Sequence, residues 1–495
     1  MMEANSPEIV IIGAGMSGLA AGIRLAMFGQ RVCIVEKHTV AGGLNSFYTR
    51  KKRPFDVGLH ALTNYVPAGA RGTPLAKILR QLRIDREELA LAPQLGSAIH
   101  FRENRLAFSN DFSLLENEIA REFPRDIDAF KKLDAFLRTF NETALDAAAG
   151  SARECVAAFI KNPRLADVLF LPLSYYGSAR PNDMDLPQFA IMWKSIFHEG
   201  FSRPPDGVRR IIKLLLKKYR AAGGELRMGR AVTQLRARAG TVREVVLDNG
   251  ETLAPRLIFS SAGLPETERL VREENAAGNE ENVTGSGEKK RAAPGELAFC
   301  ETITVLDADP RRDFRWDTTI IFFCDSDTLH YAPIPPPTLV DQRSGVICIP
   351  NNYDYATAGG AAAAGDDGPA DGWLRVTALA SYAGWRALAG NDPAGYAAQK
   401  RAWHTALNTT ARAHLPPVAD AAFNAAVLDT DMFTPPTVER FTGRLNGAIY
   451  GTPEKRRDGT TALANLFITG TDQGFLGITG ALLSGISMAN LHALR

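Results

Sequence analysis

The stretch IVIIGAGMSGLAAGIRLAMFGQRVCIVEK, residues 9–37, decides the fold. Ile9 to Ile12 is an unbroken apolar run, the pattern of a strand buried on both faces of a parallel sheet. Gly13, Gly15 and Gly18 follow with the spacing G-x-G-x-x-G. Next comes a helical pattern with Leu19, Ile23, Leu25 and Met27 inward and Gly29 at its end. A second apolar strand, Val32 to Val35, closes on Glu36. Strand, glycine turn, helix and strand make a βαβ unit, so the expected fold class is α/β with a Rossmann-like parallel sheet.

Each glycine has a physical job. Gly13 permits the tight turn, Gly15 lets the backbone approach a pyrophosphate, and Gly18 lets the helix pack closely on the strand. Free amides and the positive dipole at the helix N-terminus receive phosphates. Glu36 can accept hydrogen bonds from ribose hydroxyls, which favours an unphosphorylated ribose and leaves FAD and NAD as candidates.

The residues that follow, AGGLNSFYTRKKRPFDVGLHALT (41–63), place Gly42-Gly43 shortly after the acid and Phe55-Asp56-Val57-Gly58 beyond it. This resembles the extended fingerprint of the flavoprotein superfamily of amine oxidases, phytoene desaturases, carotenoid isomerases and retinol saturases. The resemblance implies FAD, with the double glycine passing close to its pyrophosphate and ribityl chain. It implies cofactor contacts from Gly13, Gly15, Met16, Ser17, Gly18, Glu36, Lys37, Gly42, Gly43, Leu44, Asn45, Gly58 and Leu59, and His60 stands beside the expected flavin. His60 could steer a substrate, stabilise charge or relay a proton; a structural histidine bonded to backbone is the competing reading.

Further along, residues 71–204 read as mostly helical, with Pro172, Pro181 and Pro187 breaking an apolar, aromatic stretch at 166–201 into short pieces. That stretch suits a domain core, a wall of an apolar tunnel or an interfacial helix. PDGVRRIIKLLLKKYRAAGG (205–224) is an amphipathic helix with Val208, Ile211, Ile212, Leu215 and Tyr219 on one face and a glycine C-cap. Three strands, a turn at Asp248-Asn249-Gly250 and a buried strand LIFSSAG follow. The order resembles the superfamily's return to its FAD domain, which puts the Val232 backbone against adenine. Residues 270–295 and 356–372 read as exposed, compositionally simple insertions. AFCETITVLDA, TIIFFCDS and GVICIP read as strands of a mixed sheet in a second domain. The expected division is an FAD domain of 7–70, 205–265 and 430–495, and an α+β substrate domain of 71–204 and 266–429.

NLFITGTDQGFLGITGALLSG (465–485) reads as the last parallel strand, a glycine turn and a helix beginning near Gly480. Ligands bind at the carboxyl ends of such strands, so Asp472 is expected to accept from ribityl hydroxyls, beside Gly470. Gly477-Ile478-Thr479-Gly480 matches part of the C-terminal motif of phytoene desaturases and carotenoid isomerases, without a family proline. That match adds Gly477, Ile478 and Thr479 to the expected cofactor contacts. FTPPTVERFTGRLNGAIYG (433–451) resembles a segment of carotenoid isomerases and retinol saturases, and Arg440 within it is read either as a flavin anchor or as part of a local salt bridge.

Composition removes other classes. A net charge of +2 gives no basic footprint for nucleic acid. No apolar run reaches the ~18 to 20 residues that span a bilayer. Five cysteines without a C-x-x-C pair fit reduced thiols in a cytoplasmic protein and no metal centre. The run Arg50-Lys51-Lys52-Arg53 reads as a solvated turn or a contact with anionic lipid. The expected chemistry is hydride exchange between non-covalent FAD and an apolar, carotenoid-like polyene. A water-insoluble substrate favours peripheral contact with a membrane's inner face. Polyene isomerisation by reduced FAD, amine oxidation and a non-enzymatic FAD module are the rival readings. Substrate identity, electron acceptor and oligomeric state are not legible.

Overall fold

The structure, a computed structural model, describes residues 7–494 except 59, 148, 275–279, 283–290 and 359–368. The opening stretch folds as its pattern dictates: β1 (Ile9–Ile12), α1 (Met16–Met27) and β2 (Val32–Glu36). All of β1 and β2 is buried, as a strand covered on both faces requires. The amphipathic helix α2 (Val208–Ala221) buries its five predicted apolar residues and leads into β3 (Glu225–Met228). With β4 (Leu257–Ser260) and β5 (Leu466–Ile468), these strands form an all-parallel sheet in the order β3-β2-β1-β4-β5.

The helix α3 (Gly477–His492) packs along α1, and the contact is close enough to need glycine. A Cβ on Gly485 would lie 2.1 Å from the Ser17 carbonyl oxygen. The helix begins three residues before the predicted Gly480, at Gly477, whose φ of +67° makes the turn into it.

A seven-stranded mixed sheet forms the second layer. Its order is Val427–Phe433, Phe299–Leu306, Gly372–Ala380, Val340–Cys348, Ile320–Cys324, Ser97–Phe101, Asn104–Phe108, with one parallel pair, Ile320–Cys324 on Ser97–Phe101. The last two strands lie inside the segment expected to be mostly helical; they turn at Arg102, held at φ +52°. Pro181 lies in the turn between two helices and Pro187 in the first turn of the second, Leu186–Trp193, but Pro172 lies within the helix Pro163–Gly177. Burial of that helix in the aromatic core outweighs the lost hydrogen bond.

Part of 270–295 also departs from expectation. Val271–Glu274 adds in parallel to Val232–Arg238, and Glu280–Asn282 pairs with it. Most of 356–372 lies outside the described residues. The basic run forms an exposed turn at Lys51 and Lys52, as expected of a solvated one, and its charges also pair: Arg50 and Lys51 hold Asp429 at 2.8 and 2.9 Å, and Arg53 holds Asp371 at 2.8 Å. Among the described residues no helix is long and apolar enough to cross a membrane, and no cluster of side chains suits a metal ion.

Candidate active site

A cavity of about 800 Å³ opens at the carboxyl ends of β1, β2 and β4 and runs on to the seven-stranded sheet. At one end stands the glycine cradle. Gly13, at φ +97°, makes the turn, and Ser261 packs beneath it, donating to the carbonyls of Ile12 and Gly13 at 2.9 and 3.2 Å. Gly15 caps α1 without a side-chain bond, and a Cβ there would meet nothing within 4 Å. The helix therefore offers bare amides to an open face, the geometry that binds an anion. Gly18 does not line the cavity; its absent Cβ would lie 2.1 Å from the Gly13 carbonyl oxygen, so its job is the close packing of α1.

Glu36 is buried at the tip of β2, with its carboxylate fixed by the amides of Ala14 at 2.7 Å and His38 at 2.8 Å. Those bonds aim an acceptor into the cavity wall. Met16, Ser17, Lys37, Gly42, Gly43, Leu44, Asn45, Gly58, His60, Val232, Gly470, Gly477 and Ile478 also line it. Leu59 lies outside the described residues.

Two further expected contacts, besides Gly18, are corrected. Asp472 is wholly buried and does not line the cavity. Its Oδ1 accepts from the Thr452 amide at 3.0 Å, and its Oδ2 accepts from the Leu264 amide at 2.7 Å and Arg444 Nη1 at 3.1 Å. Both oxygens are thus held by protein and, unlike those of Glu36, belong to a residue outside the cavity wall. Burial opposes its ionisation, but Arg444 and Lys455 outweigh that and hold its pKa below the usual carboxylate range. Thr479 is likewise turned inward, donating to the Thr63 carbonyl at 3.2 Å. Arg440 is exposed over the Phe441 ring and does not line the cavity.

The other end of the cavity is an apolar and aromatic chamber, walled by Tyr175, Met192, Phe299, Val346, Ile449 and Leu476. Two carboxylates line the cavity from the sheet, Asp431 and Glu301, and Glu301 is the one beside His60. Glu301 lies 3.3 Å from His60 Nε2 and pairs with Arg375, whose Nη2 also donates to the carbonyls of Asp56 and Val57 at 3.0 and 3.1 Å. Burial alone would raise the Glu301 pKa, yet Arg375 and His60 together lower it, so the carboxylate is ionised. A carboxylate beside Nε2 places the ring proton there and leaves Nδ1, which has no protein partner among the described residues, as the acceptor. Glu301, Arg375 and Arg444 did not emerge from the sequence. The available signal was a lone charge inside each of two apolar strands, FCETITVL and GWLRVTALA.

Residues 16–262 match the family described as "Flavin containing amine oxidoreductase". The chain belongs to that family. Its cofactor is FAD, which the bare helix terminus, the oriented Glu36 and the glycine cradle all suit. Among curated relatives, the flavoprotein is 27% identical over 304 residues to a phytoene desaturase (neurosporene-forming) of Cereibacter sphaeroides, covering 54% of this chain and 55% of that one. It is 22% identical over 312 residues to prolycopene isomerase 2 of an Oncidium hybrid cultivar, covering 57% and 52%. The chain thus spans about half the length of the curated relatives it matches. An oxidoreductase from Methanosarcina mazei has the same fold, with a TM-score of 0.61, 16% identity, and coverage of 97% of this chain and 99% of that one.

Proposed function

We propose that this flavoprotein transfers a hydride between FAD and an apolar, carotenoid-like isoprenoid, as a desaturase or saturase. The observation that carries the reading is that the glycine cradle and the aromatic chamber are walls of one cavity. A dinucleotide held at Glu36 and Gly43 would share its cavity with the chamber of Tyr175, Phe299 and Leu476. Bound FAD supplies the hydride acceptor or donor. The cavity-lining residues of the glycine segments, with Glu36, Lys37, Leu44, Asn45, Val232 and Ile478, hold it; the chamber orients the polyene and excludes water.

In the desaturating direction, loss of an allylic hydride leaves a delocalised carbocation. His60 takes the adjacent proton at Nδ1, the freed electron pair forms the new double bond, and Glu301 steadies the resulting imidazolium through Nε2. The cofactor domain in this reading is 7–70, 205–265 and 430–495, and the rest forms the substrate domain. A substrate of this kind is drawn from a membrane, so the protein works peripherally at one, on the cytoplasmic side. Flotation with vesicles checks that, and protein remaining at the bottom of the gradient counts against it.

The test is anaerobic mixing of the oxidised holoprotein with vesicles carrying phytoene-like polyenes. Bleaching of the flavin in step with new polyene absorbance supports hydride removal. The similarity to prolycopene isomerases favours a second reading, isomerisation by reduced FAD. An unchanged oxidised flavin, with isomers appearing only after reduction, selects it.

A further inference from the structure

The glycine segments leave one electrostatic requirement unmet. A pyrophosphate carries two negative charges, while a helix terminus supplies only about half a positive one. Residues 42–48 and 57–58 line the cavity without a single cation. Lys37, Arg230 and Arg269 line it but are exposed, and Lys400 lies 3.7 Å from Asp431. Arg444 is different: it lines the cavity and is only 5% exposed.

We infer that Arg444 is the cation that receives the pyrophosphate of FAD, and that Asp472 and Glu266 are the residues that position it. The inference rests on the FAD reading and adds a residue to it. One nitrogen, Nη1, is spent on the protein, bonded to Asp472 Oδ2 at 3.1 Å and facing Glu266 Oε2 at 3.6 Å. Nε and Nη2 have no protein partner among the described residues. Three N–H groups of a planar fork are therefore left over in a desolvated place, which is the arrangement that binds phosphate oxygens in pairs.

The surrounding backbone is shaped to seat this group beside the cradle. A Cβ on Gly13 would lie 2.5 Å from Ser261 Oγ, and two residues on, a Cβ on Gly263 would lie 2.2 Å from Arg444 Nη1. A Cβ on the preceding residue, Gly443, would lie 2.9 Å from Lys37 Nζ, next to Glu36. Glycines thus clear the space between the phosphate turn, the ribose acid and the guanidinium. The turn residue Asp472 serves the cofactor at one remove: it holds Arg444 and does not itself touch the ligand.

The test reads the phosphorus directly. In holoprotein, Arg444→Lys keeps the charge but loses the fork. It is expected to weaken FAD on the order of 10- to 100-fold, measured by flavin fluorescence released on dilution. It is also expected to shift the two ³¹P resonances of bound FAD. Arg440→Ala, at the exposed neighbour, should move neither. Unmoved ³¹P resonances in Arg444→Lys overturn the inference even if thermal stability falls, because a purely structural residue would lower stability alone. If the lysine variant does not fold, wild-type holoprotein labelled with ¹⁵N-arginine decides: dipolar contact between a guanidinium and the FAD phosphorus supports it, and no contact sinks it. A wild type that holds no FAD at all would instead remove the cofactor assignment itself.

Discussion

Two buried guanidinium groups, one behind the cavity wall and one in it, are employed differently. Arg375, in the seven-stranded sheet, is 2% exposed, and its partners are all protein: Glu301 and the carbonyls of Asp56 and Val57. Arg444, beside the cofactor sheet, is buried almost as deeply yet keeps donors in hand. Equal desolvation therefore supports unequal roles. A guanidinium saturated by the protein fixes geometry, here the loop before His60, whereas one with spare N–H groups is waiting for a ligand.

That contrast breaks first under deletion. Arg375→Met leaves the buried, charged Glu301 with only His60 beside it, so it should cost about 3–5 kcal/mol in urea unfolding, with or without added FAD. Arg444→Met should cost less without FAD, and its deficit relative to wild type should widen as FAD is titrated in, because ligand stabilisation follows affinity. Equal deficits at every FAD concentration would erase the distinction.

Lys455 sharpens the picture from the alkaline side. It faces Asp472, Arg444, Asp185 and Arg180, and burial lowers its pKa to about 8 from an ordinary 10.5. Between those values the unfolded chain binds the extra proton, so stability rises with pH, by up to about 3 kcal/mol. The difference in unfolding free energy between wild type and Lys455→Met should grow across that window. A flat difference means that the cluster behind Arg444 is not strained by burial.

Gly18→Ala should come next, at about 1–3 kcal/mol, since its methyl would have to displace the Gly13 carbonyl. Weaker FAD retention should accompany the loss; retention at wild-type level would mean that the cradle tolerates a shift. The smallest effect belongs to Lys51→Ala. That side chain is 60% exposed and Arg50 keeps Asp429 paired, so less than ~1 kcal/mol should be lost, and nothing at high salt. A larger loss would show that surface cations hold the second layer as firmly as Arg375 does.

The sequence made β1, α1 and β2 legible because their signals are local: an apolar run, three glycines, one acid. α2 and the parallel strands were equally readable. What escaped reading depends on distance along the chain. Asp472 looks like a ligand residue in its own turn, and only folding brings Leu264, Arg444 and Thr452 to its two oxygens. Glu301 and Arg375 meet across adjacent strands, 74 residues apart, so neither explains itself alone. The hairpin Ser97–Phe108 lacks an Asn-Gly or Asp-Gly turn, and its strands are visible mainly through the sheet they join. Residues 271–273 pair in parallel with residues 36 positions earlier, a contact that no local pattern encodes.

The order of the central sheet also sets a timetable for synthesis. The cradle is encoded within the first 43 residues, but β1 lies between β2 and β4, and α1 waits for α3, which ends at His492. At ~5–20 residues per second, β1 waits roughly ten seconds to a minute for β4, and α1 roughly half a minute to a minute and a half for α3. Until then an apolar β1 has an unpaired edge and α1 an uncovered face. The cavity encoded from residue 12 onward is therefore closed only when Gly477 and Ile478 of α3 have been made.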